Sequence, residues 1–234
     1  MDVDVILFDV GGTVFDWRTA VVAGVKNLNS PAFRGADPEA FADHWRRQSL
    51  IEIEAIAEGS APWRPFDPIL ESSLTRTLSD LSLKVIGEPE RRALLTAWEE
   101  MPVWPGVPES LARLRRRYFV APHTILSLHT AAFSSCRAGI AWDAIVTCDA
   151  LGATKPAPES YLRALAAVGR PAERVCFAAA HPGDLRAAQA HGMRTAYIVA
   201  RLHDYGDDYE DTGFAHEFDV VADDFAQLAE LMGV

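Results

Sequence analysis

Phe8-Asp9-Val10-Gly11-Gly12-Thr13-Val14-Phe15-Asp16 decides how this chain is read. Ahead of it, the run from Val3 to Phe8 is short, rich in β-branched residues and uninterrupted after Asp4, which predicts a buried parallel strand. The two glycines let the backbone curl tightly and present N–H groups beside Asp9. A carboxylate at the C-terminal end of a central strand stands where open α/β sheets bind ligands. Thr13 can donate a hydrogen bond back to it, a setting suited to a nucleophilic aspartate. The same residues also fit a plain strand and turn whose Asp caps a helix, and a short motif alone does not separate the two readings.

Outward from this turn the pattern changes. Residues 17–100 read as helices with polar faces and contain no convincing strand. In 37–57, Phe41, Trp45, Leu50, Ile53 and Ala57 recur near helical spacing, with Asp37 as the cap and Pro38 at the first helical position. A second helix is expected over 89–100, and the proline-rich 59–67 reads as a loop. After a turn at 104–108 and a helix over 108–117, strands and helices alternate. Strands are expected over 124–128, 144–147, 175–179, 195–199 and 220–221, and helices over 158–168, 184–191 and 225–232. Pro122 cannot donate to a ladder, so the strand near it is expected to begin at Thr124. Residues 203–219 read as a solvated acidic loop. The expected fold is therefore α/β: a doubly wound parallel sheet of residues 1–16 and 102–234, with a helical cap of residues 17–101 inserted after the first strand.

The bulk properties narrow the function. The chain has 234 residues and a net charge of −11, which disfavours a phosphate backbone or an anionic membrane as partner. Cys136, Cys148 and Cys176 have no metal or redox spacing, and no signal-type segment or transmembrane-length apolar run is present. A cytoplasmic setting is the expectation.

Three further core segments would meet Asp9 at the shared C-terminal edge of the sheet. They are Ile125-Leu126-Ser127, Lys155-Pro156-Ala157-Pro158-Glu159-Ser160-Tyr161, and Cys176-Phe177-Ala178-Ala179-Ala180-His181-Pro182-Gly183-Asp184. Trp45-Arg46 lies in the inserted helices. With these motifs in this order around a helical insertion, the chain resembles the haloacid dehalogenase superfamily, and within it the L-2-haloacid dehalogenase branch, over essentially its whole length. The resemblance implies Asp9 as nucleophile, Thr13 and Ser127 as its hydrogen-bonding supports, and Lys155 as the cation that keeps it ionised. It implies that Asp184 orients Lys155 and the hydrolytic water, that Tyr161 contacts the site, and that Arg46 receives the halide or anchors the substrate.

The phosphatase branch places a second Asp two residues after the nucleophile and an acidic ligand four residues before Asp184; here those positions are Gly11 and Ala180. A hard Mg²⁺ ion would have few oxygen ligands, so no metal and no cofactor are expected. Other departures lie in the pocket. Gly11 replaces a bulky residue, Leu128 an asparagine, and Ala179, His181 and Gly183 replace serine, asparagine and tryptophan. Gly11, Leu128, Tyr161, His181 and Trp45 are the candidate substrate-binding residues, although cap aromatics also pack cap against core. The expected activity is metal-independent hydrolysis of a small 2-substituted carboxylate, L-2-halo acids first, with homodimers as the family's habit. The alternatives are opening of a strained-ring 2-carboxylate, and a catalytically weak relative acting as a binding module.

Overall fold

The computed structural model describes residues 1–83, 86–199 and 215–234. Among the described residues, six strands form one parallel sheet: β1 (Val5–Phe8), β2 (Phe119–Thr124), β3 (Val146–Thr147), β4 (Val175–Ala179), β5 (Arg194–Ile198) and β6 (Val220–Ala222), in the order β3-β2-β1-β4-β5-β6. β1 lies between β2 and β4, with Phe8 level with Pro122 on one side and Ala178 on the other. Asp9 therefore leaves the middle of the sheet at its C-terminal edge. Successive residues of β1 serve opposite faces: Ile6 and Phe8 pack with Leu111, Val120 and Phe225, and Val5 and Leu7 with Tyr161, Phe177 and Leu185. Burial on both faces is why the strand reads as a continuous apolar run.

Between β1 and β2 come the cap helices α1 (Trp17–Asn27), α2 (Pro38–Ala57), α3 (Phe66–Asp80) and α4 (Glu88–Thr96), then a 3-10 turn at Ala97–Glu99. Asp37 caps α2 by accepting from the Glu39 and Ala40 amides, and Pro38 opens it. Trp45 is buried where α2 meets α3, its indole N–H shared between the Leu70 carbonyl and Ser73 Oγ at 3.1 Å. The core adds α5 (Val107–Leu114), α6 (Leu128–Arg137), α7 (Cys148–Leu151), α8 (Pro158–Val168), α9 (Pro182–Ala190) and α10 (Phe225–Leu231).

The two chain crossings between core and cap are zipped together. Asp16 N–H donates to the Pro102 carbonyl at 2.9 Å, and Trp104 N–H to Val14 at 3.2 Å. A third tie lies far away in sequence: Asp149 Oδ1 in α7 accepts from Phe66 N–H at 3.0 Å. It caps an α3 terminus whose own N-cap, Pro65, has no side-chain bond to offer.

Two expectations need correction. β2 begins at Phe119, not Thr124, and runs through Pro122. Phe119 N–H points to β1, where Asp4 O accepts it, and Val120 N–H points the other way, to Asp143 Oδ2. By alternation the Pro122 nitrogen also faces away from β1, and β3 starts pairing only at His123, so no ladder bond is lost. Residues 125–127 form a turn rather than strand, and α6 starts at Leu128 because Ser127 is its N-cap. Most of the expected acidic loop, 203–214, lies outside the described residues. Among the described residues, no helix is long and apolar enough to cross a membrane.

Candidate active site

The strand ends do the positioning. Asp9 N–H donates to Ala178 O at 3.0 Å, which sets the end of β1 beside the end of β4. Gly12, at φ +82°, takes a backbone conformation that an L side chain resists, and this closes the turn. Thr13 Oγ1 then donates to Asp9 Oδ2 at 2.8 Å and accepts from Ala180 N–H at 3.0 Å, tying the β1 turn to the loop after β4.

Lys155 arrives from the segment between α7 and α8. Its ammonium donates to Asp9 Oδ1 at 2.7 Å and to Asp184 Oδ2 at 2.5 Å. Asp184, in the first turn of α9, accepts from Tyr161 OH at 2.8 Å on its other oxygen. His181, the N-cap residue of α9, places Nδ1 2.9 Å from Asp9 Oδ2. Asp9 and Lys155 are only 5% and 4% exposed. Burial alone would raise the Asp9 carboxyl. The Lys155 charge and the His181 hydrogen bond outweigh it and hold Asp9 far below the usual carboxylate range. Burial likewise opposes the Lys155 charge, but Asp184 and Asp9 together hold the ammonium above the ordinary lysine value. Asp9 is thus an ionised, nearly dry carboxylate, and Tyr161 stays a neutral donor because burial and Asp184 push its hydroxyl well up.

In the cap, Arg46 projects from α2 into a cage of tryptophans. Its guanidinium lies 5.6 Å from the centre of the Trp17 ring and 5.9 Å from Trp98. The side chain is buried, and Nε and Nη1 have no hydrogen-bond partner among the described residues. A buried cation with open donors is costly unless an anion meets it. Arg18, by contrast, is satisfied by Asp43 at 2.7 and 2.9 Å.

Asp9, Thr13, Lys155, Tyr161, His181 and Asp184 are thus joined by hydrogen bonds, and the other candidates stand apart from that network. Ser127 Oγ accepts from Thr130 N–H at 3.2 Å and donates to Thr130 Oγ1 at 3.1 Å; it makes no hydrogen bond to Asp9, because its oxygen caps α6. Leu128 is 52% exposed in the first turn of α6. Trp45 belongs to the packing inside the cap, edge-on to Trp98 at 5.7 Å. A Cβ built at Gly11 or Gly183 would meet no atom of the described residues within 4 Å; Gly11 is half-buried and Gly183 is exposed.

A support behind Lys155 escapes the motif reading. His123, wholly buried on β2, pairs Nε2 with Ser160 Oγ at 2.9 Å, and Ser160 Oγ lies 3.5 Å from Cys148 Sγ. The imidazole stands edge-on to Tyr161 and Phe177 at 5.4 and 5.7 Å. Burial, aided by the Lys155 charge, keeps it neutral down to about 3. The available signal was a histidine following a proline at the end of a central strand.

A metal fits poorly here. Asp9, His181 and Asp184 each offer a donor atom within 4.8 Å of one another, the one such group among the described residues. However, the Lys155 ammonium already lies between the two carboxylates, imidazole suits softer ions than Mg²⁺, and Gly11 and Ala180 add no side-chain oxygen.

A family model for haloacid dehalogenase-like hydrolases matches residues 3–192. Among solved structures, the L-2-haloacid dehalogenase PA0810 is 28% identical, with a TM-score of 0.89 over 99% of this chain and 100% of that one. The defluorinating L-2-haloacid dehalogenase Rha0230 is 30% identical, with a TM-score of 0.91 over 99% and 96%. The L-2-haloacid dehalogenase of Xanthobacter autotrophicus with chloropropionic acid covalently bound is 20% identical, with a TM-score of 0.81 over 98% of both chains, a likeness of fold. No curated protein sequence matches significantly.

Proposed function

The chain belongs to the haloacid dehalogenase-like hydrolases, and from that premise we propose that it hydrolyses 2-substituted carboxylic acids, L-2-halo acids first, through an ester on Asp9. The observation that carries this reading is Lys155 seated between Asp9 and Asp184. It keeps a buried carboxylate ionised without a metal, and Oδ1 retains a lone pair for attack on carbon. Asp9 attacks the α-carbon in line, the halide leaves with the bonding pair, and the configuration inverts. Arg46, with its open donors among the tryptophans, is the group to receive the substrate carboxylate or the departing halide.

Water then adds to the ester carbonyl carbon, passing a proton to Asp184. Collapse breaks the bond between that carbon and the oxygen carrying the substrate. Lys155 protonates the released hydroxy acid and recovers its proton from Asp184, 2.5 Å away. Asp9 re-forms as an acid and loses its proton to solvent, driven by the same Lys155 charge. The balance is one water consumed, with one halide and one proton released.

The absence of a side chain at Gly11, two residues after Asp9, supports acids bulkier than 2-chloropropionate, including ring-bearing 2-carboxylates whose amine leaves the same carbon. The test is halide release from L- and D-2-chloro, bromo and fluoro acids, with EDTA and with Asp9→Asn. The reading expects release that survives EDTA and is lost in the variant. Silence from folded protein across halo acids and ring acids would overturn it, and Mg²⁺-dependent phosphate release would replace it.

A further inference from the structure

The two oxygens of Asp9 are held differently. Oδ2 accepts from Thr13 Oγ1 at 2.8 Å and from His181 Nδ1 at 2.9 Å, so both of its in-plane lone pairs are taken. Oδ1 accepts only from Lys155 at 2.7 Å among the described residues, which leaves one lone pair directed elsewhere. Because the carboxylate is ionised and carries no hydrogen, His181 Nδ1 must be the donor in its bond.

Resting on the reading above, we infer that Oδ1 is the attacking oxygen, and that His181 and Thr13 form the oxyanion site for Oδ2 when the ester is hydrolysed. Once Oδ1 bonds to the substrate, Oδ2 becomes the ester carbonyl oxygen, already facing two donors. When water adds to the carbonyl carbon, the π pair moves onto Oδ2 and its charge grows between Thr13 O–H and His181 N–H. When the adduct collapses, that pair re-forms the double bond and the carbon–Oδ1 bond breaks, with Lys155 beside Oδ1 to protonate the alkoxide. Each side of Asp9 thus serves one half of the reaction. His181 acts by donating a fixed hydrogen, not by taking the proton of water. The histidine is placed for this by its backbone, because it is the N-cap residue of α9 immediately after the loop that Thr13 ties down through Ala180.

Ester formation and hydrolysis are separable with L-2-bromopropionate, by rapid bromide release and by the intact protein mass. In His181→Leu, bromide should appear as a burst of about one per Asp9, followed by turnover slowed on the order of 10²-fold, with the ester accumulating. Thr13→Val should stall at the same step, and serves if the leucine variant does not fold. His181→Asn, whose amide nitrogen can stand where Nδ1 stood but cannot act as a base, should hydrolyse the ester within about tenfold of wild type. If His181→Asn accumulates ester as His181→Leu does, the histidine is the base for water and the inference falls. If the leucine and valine variants lose the bromide burst in proportion to turnover, the two donors do not serve hydrolysis and it falls likewise. Failure of the underlying reading looks different: wild type would release no bromide and Asp9 would never gain mass.

Discussion

His123 gives the site an acid limit that can be worked out beforehand. It is wholly buried, hydrogen-bonded to Ser160 and packed edge-on against Tyr161, which holds Asp184. Burial is the main reason it stays neutral down to about 3; Lys155 adds to the effect and Asp9 opposes it. The folded value is depressed, so the unfolded chain binds this proton first, near its ordinary value of about 6.5. Stability is therefore unaffected above that value, falls as the pH drops through it, and stops falling only near the folded value. The loss attributable to this one residue is about 2 kcal/mol between roughly pH 7 and pH 5, and about 3 kcal/mol by roughly pH 4. His123→Gln retains a donor for Ser160 and removes the titration. Urea unfolding of both proteins at the two higher pH values should show wild type losing about 2 kcal/mol more than the variant on acidification, after the shared pH dependence cancels. Curves that run parallel to within about 0.5 kcal/mol would refute the argument, since the imidazole would then be finding a proton in the folded state.

Three further outcomes follow from the same contacts. Arg46→Lys replaces a planar fork by a point charge, so kcat/KM for halo acids should fall at least about tenfold, and Arg46→Ala about 10²-fold or more, with steady-state halide assays as the readout. Tyr161→Phe removes the 2.8 Å bond to Asp184 and frees Asp184 and Lys155 to shift; the expected cost is about tenfold in kcat with little change in KM. Asp149→Ala uncaps α3 across the cap boundary and should lower the urea midpoint by the equivalent of about 1 kcal/mol, whereas Asp149→Asn, which keeps an acceptor for Phe66 N–H, should lower it less.

What the sequence disclosed follows from which constraints are local. Strands buried on both faces must be apolar throughout, so β1, β4 and β5 could be read directly. Parallel strands share one edge, which is why the sequence alone brings Asp9, Lys155 and Asp184 together. β2 escaped because its end carries Pro122 and His123, and their tolerance depends on which side of the strand pairs, a property of the neighbours. Ile125 and Leu126 read as strand because a turn packed on the core is as apolar as a strand. Ser127 shows the limit of motif transfer: a hydroxyl at a strand end can serve a carboxylate or the following helix, and the Thr130 amide is nearer to hand. The tryptophan cage around Arg46 joins α1, α2 and the turn after α4, and packing between distant segments leaves no spacing to read.

The arrangement of charge argues for carbon rather than phosphorus as the atom attacked. Asp9 and Asp184 bring two negative charges to the sheet edge, and Lys155 supplies one positive charge between them. A phosphate monoester dianion placed against Asp9 would meet a net negative site. At about 4 Å each unbalanced pair of unit charges costs about 4 kcal/mol at an effective dielectric of about 20. Phosphatases of this chemistry offset such repulsion with a divalent ion, which the donor set here suits poorly. A 2-halo acid poses a smaller problem. Its reacting carbon is neutral, its single carboxylate can lie away from Asp9, and the negative charge that develops moves onto the departing halide. One guanidinium with open donors is enough to meet either anion, and Arg46 is buried with Nε and Nη1 unbonded among the described residues.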